Sequence, residues 1–219
     1  MTLGVAGRYS VTPMSEDAMR ALPLRERKKL RTRRALAEAA LRMFTERGFD
    51  AVTLEELVDA VEVSKSTFFR TFPAKEAAAI EAEEELWTAC LDAFGRLPEG
   101  RAIDALRDVL TEVVAGLGPE WGERYAATRR LVVTAPSLLA YAASHRHGVE
   151  QELTGLLRER LGLPDDDLRP QVLAQLTTAA WSVAARGWVF SGAPFGDLLD
   201  RVGRAFAAIS GSLELSVRG

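Results

Sequence analysis

Six consecutive positions behind Ser64 hold Lys65, Ser66, Thr67, Phe69 and Arg70, a set that combines cationic donors, hydroxyls and an aromatic ring. An arginine or lysine can fork onto guanine or grip a phosphate, a hydroxyl serves either, and a ring packs on deoxyribose or a thymine methyl. This is the chemistry of a surface that meets nucleic acid. It works only if the side chains leave one rigid face together, so the neighbouring residues must build that face.

They have the means. In Thr53-Leu54-Glu55-Glu56 a hydroxyl residue precedes Glu by three positions, the spacing of a capping box that opens a helix. That helix is expected to run to about Ala60, with Leu54, Leu57, Val58 and Val61 inward. After a break at Val61-Glu62-Val63, Ser64 is a preferred N-cap for a second helix through Thr71. Phe68 and Phe72, four apart, point into the core and anchor that helix, which leaves Lys65, Ser66, Thr67, Phe69 and Arg70 toward the outside or the N-terminal end. Two short helices joined by a tight turn form a helix-turn-helix, whose second helix enters the major groove.

Charge follows the same division. Residues 20–75 carry 13 basic and 8 acidic side chains, whereas residues 76–219 carry 14 and 21, although the whole chain is at −3. A polyanion is drawn to the first segment and repelled by the second.

Other chemistry finds no residues. Cys90 is the single cysteine, so no intramolecular disulfide or cysteine zinc cage forms, and it reads as a small buried hydrophobe. His145 and His147, two apart, point to different faces of a helix and read as surface histidines, a poor metal pair. No glycine-rich phosphate loop, nucleophile elbow or HExxH motif occurs, so neither enzyme nor cofactor is expected. No apolar run reaches the roughly 18 residues of a membrane span, and residues near the N-terminus lack a charged region followed by an apolar stretch and a small-residue cleavage site, so a cytoplasmic location is expected.

The chain reads as all-α with about nine helices, broken at Gly48, Val61-Glu62-Val63, Pro73, Pro98 to Gly100, Gly116 to Pro119, Pro136, Gly162 to Pro170 and Gly192 to Pro194. Residues 1–23, with Gly4, Gly7, Pro13 and Pro23 and no sustained period, are expected to be a disordered leader. Residues 24–75 form the helix-turn-helix unit, its first helix placing Leu30, Ala37, Ala40, Leu41 and Phe44 on one face. Residues 76–219 form the larger helical unit.

Residues 27–76 resemble the TetR family of transcriptional regulators, most closely over Thr53 to Glu76 (TLEELVDAVEVSKSTFFRTFPAKE). The resemblance implies that the first helix braces the unit, that Thr53 and Lys75 contact phosphates, and that residues 65–70 read an operator. The chain departs from the family's pattern at four places. Glu62 replaces the usual turn glycine, which costs about 1 kcal/mol if the left-handed turn is kept. Phe69 replaces a tyrosine and has no hydroxyl for phosphate, Thr71 stands where histidine is common, and Ala74 replaces a capping serine.

The last two long helices carry seams with alternating steps of four and three. In one these are Leu173, Leu176, Ala180, Val183, Gly187 and Phe190; in the other, Phe195, Leu199, Val202, Phe206, Ile209 and Leu213. Gly203 and Gly211 would let a partner helix come close. Two such helices from each of two chains make a four-helix bundle, and the resemblance implies homodimerisation of that kind. It also implies an effector pocket among the middle helices, for which Trp87, Trp121, Arg130, Thr177 and Trp181 are the candidates. With Leu131 and Val132 nearby, a small, mostly apolar effector is expected, with one anionic group near Arg130.

The expected function is a homodimeric, ligand-responsive repressor on a palindromic stretch of double-stranded DNA, without membrane or metal. A helical sensor or scaffold that has lost DNA binding is the alternative, and an all-helical enzyme a third. Binding to random duplex DNA with steep salt dependence separates the first from the others.

Overall fold

A computed structural model describes residues 23–212 and 214–216; the expected leader lies outside the described residues save for Pro23, as does Leu213. Among the described residues nine helices follow one another: α1 Leu24–Arg47, α2 Leu54–Asp59, α3 Lys65–Thr71, α4 Lys75–Ala79, α5 Glu81–Phe94, α6 Ala102–Val132, α7 Pro136–Leu161, α8 Arg169–Val189 and α9 Phe195–Ser212. Among the described residues there is no strand, and no helix is long and apolar enough to cross a membrane.

The partition into nine differs from the sequence expectation at two joints. The helix expected from about Ala74 to Pro98 is divided at Ile80 (φ −105°, ψ 20°), where neither Gly nor Pro signals a break. Ala77, Ala78, Ala79 and Ile80 are all buried there, so tertiary packing sets this offset. Conversely, the break at Gly116 to Pro119 survives only as a kink inside α6. Gly118 takes φ 78°, ψ 178°, a conformation open to glycine, and Pro119 restarts the helix with the φ its ring prescribes.

Buried side chains fall into two cores. The smaller surrounds the helix-turn-helix, with Leu36, Phe44, Phe49, Leu57, Phe68 and Phe72 at its centre. It does not stop at residue 75, because Ile80 from the α4–α5 joint, Leu131 and Val132 from the end of α6, and Leu138 from α7 are buried in it as well. Full burial of each large side chain contributes roughly 1.5–3 kcal/mol, so α6 and α7 are tied energetically to the reader. The larger core lies among α5 to α9 and holds Trp87, Trp121, Tyr125, Trp181 and Trp188. Cys90 is within it, and burial pushes its thiol well above the ordinary range, which keeps it protonated and inert. At Gly122 an added Cβ would stand 2.6 Å from the Phe195 ring, so only glycine lets α9 start so close to α6.

Candidate nucleic-acid interface

The local devices of the helix-turn-helix are complete. Thr53 accepts from Glu56 N through its hydroxyl (3.2 Å), and Thr53 N donates to Glu56 Oε2 (2.8 Å), the reciprocal capping box. Ser64 Oγ accepts from Thr67 N at 3.1 Å and starts α3. Between them Glu62 takes φ 55°, so the tight turn is kept at the left-handed cost expected of a residue standing in place of glycine. Phe68 and Phe72 are fully buried with ring centroids 5.8 Å apart, and this anchors α3 from below.

What remains outside is the expected reading face: Ser64, Lys65, Ser66, Phe69 and Arg70 are all exposed. Phe69 is 55% exposed and meets Phe68 edge-on at 5.5 Å, a large apolar ring with its outer side unpacked. Arg70 is not free to wander, because its Nη2 donates to Thr67 Oγ1 at 3.0 Å, which in turn sits 3.0 Å from Ser64 Oγ. A guanidinium held in advance loses less entropy on meeting a guanine or phosphate.

Thr67, Lys65 and Lys75, also assigned to DNA from sequence, have partners within the chain as well. Thr67 is half-buried and spent on this relay. Lys65 pairs with Glu55 across the turn, and that hydrogen bond holds the Glu55 carboxyl below the usual carboxylate range; two of the three Lys65 N–H groups remain for phosphate. Lys75, read as a phosphate contact, gives Nζ hydrogen bonds to Phe49 O (2.9 Å) and Val52 O (2.8 Å). It also lies 4.0 Å over the Phe49 ring, so it latches the loop before α2 and retains at most one of its three N–H groups for phosphate. The latch holds Lys75 on the carbonyl of Val52, the residue before Thr53. Sequence reasoning passed over Arg47, which reaches Glu56 at 2.6 Å, and Arg33, which donates to Thr71 O at 3.2 Å; neither partner lies at a helical spacing that would have flagged it.

Hydrogen bonds from Thr53 N–H and then from Arg47 bring the Glu56 carboxyl down to about 2. A depressed value means that the cap is fully supported above the ordinary 4.5 and weakens as pH falls toward 2. Carboxyl NMR should find Glu56 titrating near 2, and Arg47→Ala should raise that value only part of the way, because the Thr53 amide remains. Titration at an ordinary glutamate value would remove the capping box as the organiser of α2.

In the larger unit Trp87, Trp121 and Trp181, read as pocket lining, pack against one another in the core. Trp181 stands 6.5 Å from Trp87, 6.3 Å from Trp121 and 5.4 Å from Tyr125 between ring centroids. The indoles are satisfied internally, Trp181 Nε1 donating to Tyr125 Oη at 3.0 Å and Trp121 Nε1 to Ala82 O at 2.9 Å. Thr177 is buried and spends its hydroxyl on Leu173 O. Arg130 is a correction: it is nine positions from Trp121, which puts the two on opposite sides of a helix. It lies exposed and donates to Val189 O at 2.9 Å, away from the tryptophans. His145 is a second, since its Nδ1 is buried without a hydrogen-bond partner among the described residues, and burial lowers its pKa.

The two seams divide by face. On α8, Val172, Leu176 and Val183 are exposed, Val183 by 69%, and Phe190, just past the helix end, joins them. Ala180 is buried, and Leu173 packs partly against the chain's own core. On α9, Val202 and Phe206 are buried in that core, and Phe195, Leu199 and Ile209 pack against it. Val202, Phe206 and Ala180 are therefore spent within the chain, which corrects their assignment to a subunit interface, while Phe195, Leu199 and Ile209 stay half-buried. The outer side of α9 is small: a Cβ added at Gly196, Gly203 or Gly211 meets nothing within 4 Å.

Comparison with known proteins agrees with this geometry. Residues 36–82 match the family model of bacterial regulatory proteins, tetR family, and residues 100–213 match that of the MftR C-terminal domain. The HTH-type transcriptional regulator TcmR of Streptomyces glaucescens is 35% identical over 184 residues, 81% of this chain and 81% of that protein. The HTH-type transcriptional regulator RutR of Escherichia coli (strain K12) is 32% identical over 84 residues, 37% of this chain and 40% of RutR. Among solved structures, NalD, a repressor from Pseudomonas aeruginosa, superposes with TM-score 0.55 at 18% identity, covering 82% of this chain and 96% of NalD. Thermus thermophilus FadR, solved in complex with lauroyl-CoA, superposes with TM-score 0.54 at 20% identity over 85% of this chain and 96% of FadR. These two establish a shared fold.

Proposed function

The chain belongs to the TetR family of transcriptional regulators, and from that premise we propose that it is a homodimeric, ligand-responsive repressor in which α3 of each protomer reads one half of a palindromic operator. The observation that carries the reading is the exposed face of Lys65, Ser66, Phe69 and Arg70 on a helix whose opposite side is locked by Phe68 and Phe72. Residues 24–75 read DNA in the cytoplasm, and residues 76–219 dimerise and bind the effector without catalysing a reaction.

The exposed row Val172, Leu176, Val183 and Phe190 supports a dimer formed on the outer face of α8, with the small residues of α9 admitting the partner's helices. The effector is apolar, since Trp87, Trp121, Tyr125 and Trp181 supply the one large aromatic cluster among the described residues. It binds by parting rings that touch in its absence. FadR, with the same fold, is solved with an acyl-CoA, which supports an effector carrying an apolar chain.

Selection from a random duplex pool tests the proposal. Enriched sequences should be palindromic with half-sites one or more turns apart, about 34–36 Å per turn, and binding should fall steeply with salt. Arg70→Ala should then cost about 1–3 kcal/mol and relax the preference at one position of each half-site. Retention of no duplex at low salt would overturn the DNA-reading assignment. A candidate effector is accepted only if operator weakens its binding by the factor by which it weakens operator binding, as linkage demands.

A further inference from the structure

Arg33, in α1, is one of the points at which the reader meets the larger unit. Its Nη1 donates to Thr71 O (3.2 Å), the carbonyl of the last residue of α3, and its guanidinium lies 4.5 Å over the Phe72 ring. On the other side Nη2 donates to Glu84 Oε2 at 2.9 Å, and Nε stands 3.5 Å from Glu81 Oε1. The second oxygen of Glu81 belongs to another arginine: Arg124 Nη1 reaches Oε2 at 3.1 Å, while Arg124 Nη2 reaches Glu85 at 2.8 Å. Arg124 lies in the part of α6 that follows the Gly118 kink, between Trp121 and Tyr125 of the aromatic cluster.

A continuous set of contacts thus runs from α6 through Arg124, Glu81 and Arg33 to the end of the recognition helix, and Arg124 is joined to the aromatic core by the backbone of α6. The last carbonyls of a helix have no partner within it and carry the negative end of its dipole, so a guanidinium there both satisfies and aims α3. The side chains of Arg33, Glu81, Glu84 and Arg124 are 31%, 14%, 18% and 25% exposed, which sets them apart from solvated pairs worth little. One carboxylate shared by two arginines on different helices cannot keep both contacts if those helices shift.

We propose that Arg33 is a positioning residue for operator reading, and that Glu81, held between Arg33 and Arg124, is the joint through which the larger unit alters the aim of α3. The inference rests on the DNA-reading function proposed above. Because the Arg33 fork is turned inward, it acts on the specific complex and adds nothing to the general attraction for phosphate.

The test uses the full-length protein, its own selected operator and a random duplex of equal length, with affinities measured across a salt series. Arg33→Gln and Arg124→Gln should each weaken operator binding about tenfold, within the usual range of coupling between sites, and leave random-duplex affinity and both salt slopes unchanged. The double variant should be little worse than the weaker single one, since residues in one relay do not act additively. Arg33→Lys, which keeps the charge and loses the fork, should fail to rescue. Should either glutamine variant unfold, Glu81→Gln, nearly identical in shape, should show the same selective loss. Unchanged specificity in folded variants, multiplicative losses in the double variant, or an equal loss on random duplex would overturn the relay. If instead the unmodified protein selects no DNA, the function itself falls, a result distinct from failure of the relay alone.

Discussion

Val202→Asp will cost this protein its fold, whereas Val183→Asp will leave the helices folded and remove self-association. The two valines look alike as seam residues, yet Val202 is 0% exposed inside its own chain, packed in the core that also holds Leu198 and Phe206. An unpaired carboxylate there costs several kcal/mol, against a total stability of roughly 5–15 kcal/mol for a typical domain. Val183 stands open on α8, where a carboxylate is solvated in the free chain and would be buried only in the proposed dimer. Circular dichroism melts and sedimentation at micromolar concentration separate the outcomes. A cooperative melt near that of the unmodified protein for Val202→Asp would overturn the burial assignment. A Val183→Asp protein that still sediments as a dimer would move the interface off this face of α8, and an unmodified protein that is monomeric would remove the interface altogether.

Trp181→Ala will lower stability by about 3–5 kcal/mol, the cost of emptying a tightly packed aromatic site. Trp181 is the ring that touches Trp87, Trp121 and Tyr125 together, and its indole N–H satisfies the Tyr125 hydroxyl, which burial already keeps strongly protonated. Its loss leaves an apolar cavity and one buried hydroxyl without its donor. Such a cavity stays dry and accepts a flat apolar molecule. Indole should therefore raise the melting temperature of Trp181→Ala and leave that of the unmodified protein unchanged. A loss under about 1 kcal/mol, outside the range for such truncations, would mean that the cluster is loosely packed, and the effector would then enter a pocket already open.

Both predictions turn on a distinction that periodicity does not make. The steps of four and three in α8 and α9 place apolar residues on stripes, but a stripe is equally satisfied by the chain's own core or by a second copy. Leu176 and Val183 went outward and Val202 and Phe206 inward because α9 packs on α6 and α8 of its own chain. Spacing could not foretell that arrangement, since it depends on contacts tens of residues away.

The reader was legible because its determinants are local. Thr53 with Glu56, and Ser64 with Thr67, are contacts three positions apart; Phe68 and Phe72 share a face through helical spacing, and the left-handed Glu62 follows from the tight turn. Interactions of this range are written in the order of residues. The sequence by itself therefore determined the all-helical class, the two caps, the exposed face from Lys65 to Arg70 and the resemblance to a known family. Only the tertiary structure decided how the long side chains are used. Lys75 is latched to carbonyls 23 and 26 residues away, Arg33 reaches residues 38 and 51 positions on, and the bend at Ile80 is imposed by alanines packed in the smaller core. The physical reason is reach: a cap or turn is settled by neighbours within one helical turn, whereas a flexible cation takes whichever acceptor the folded chain brings near it.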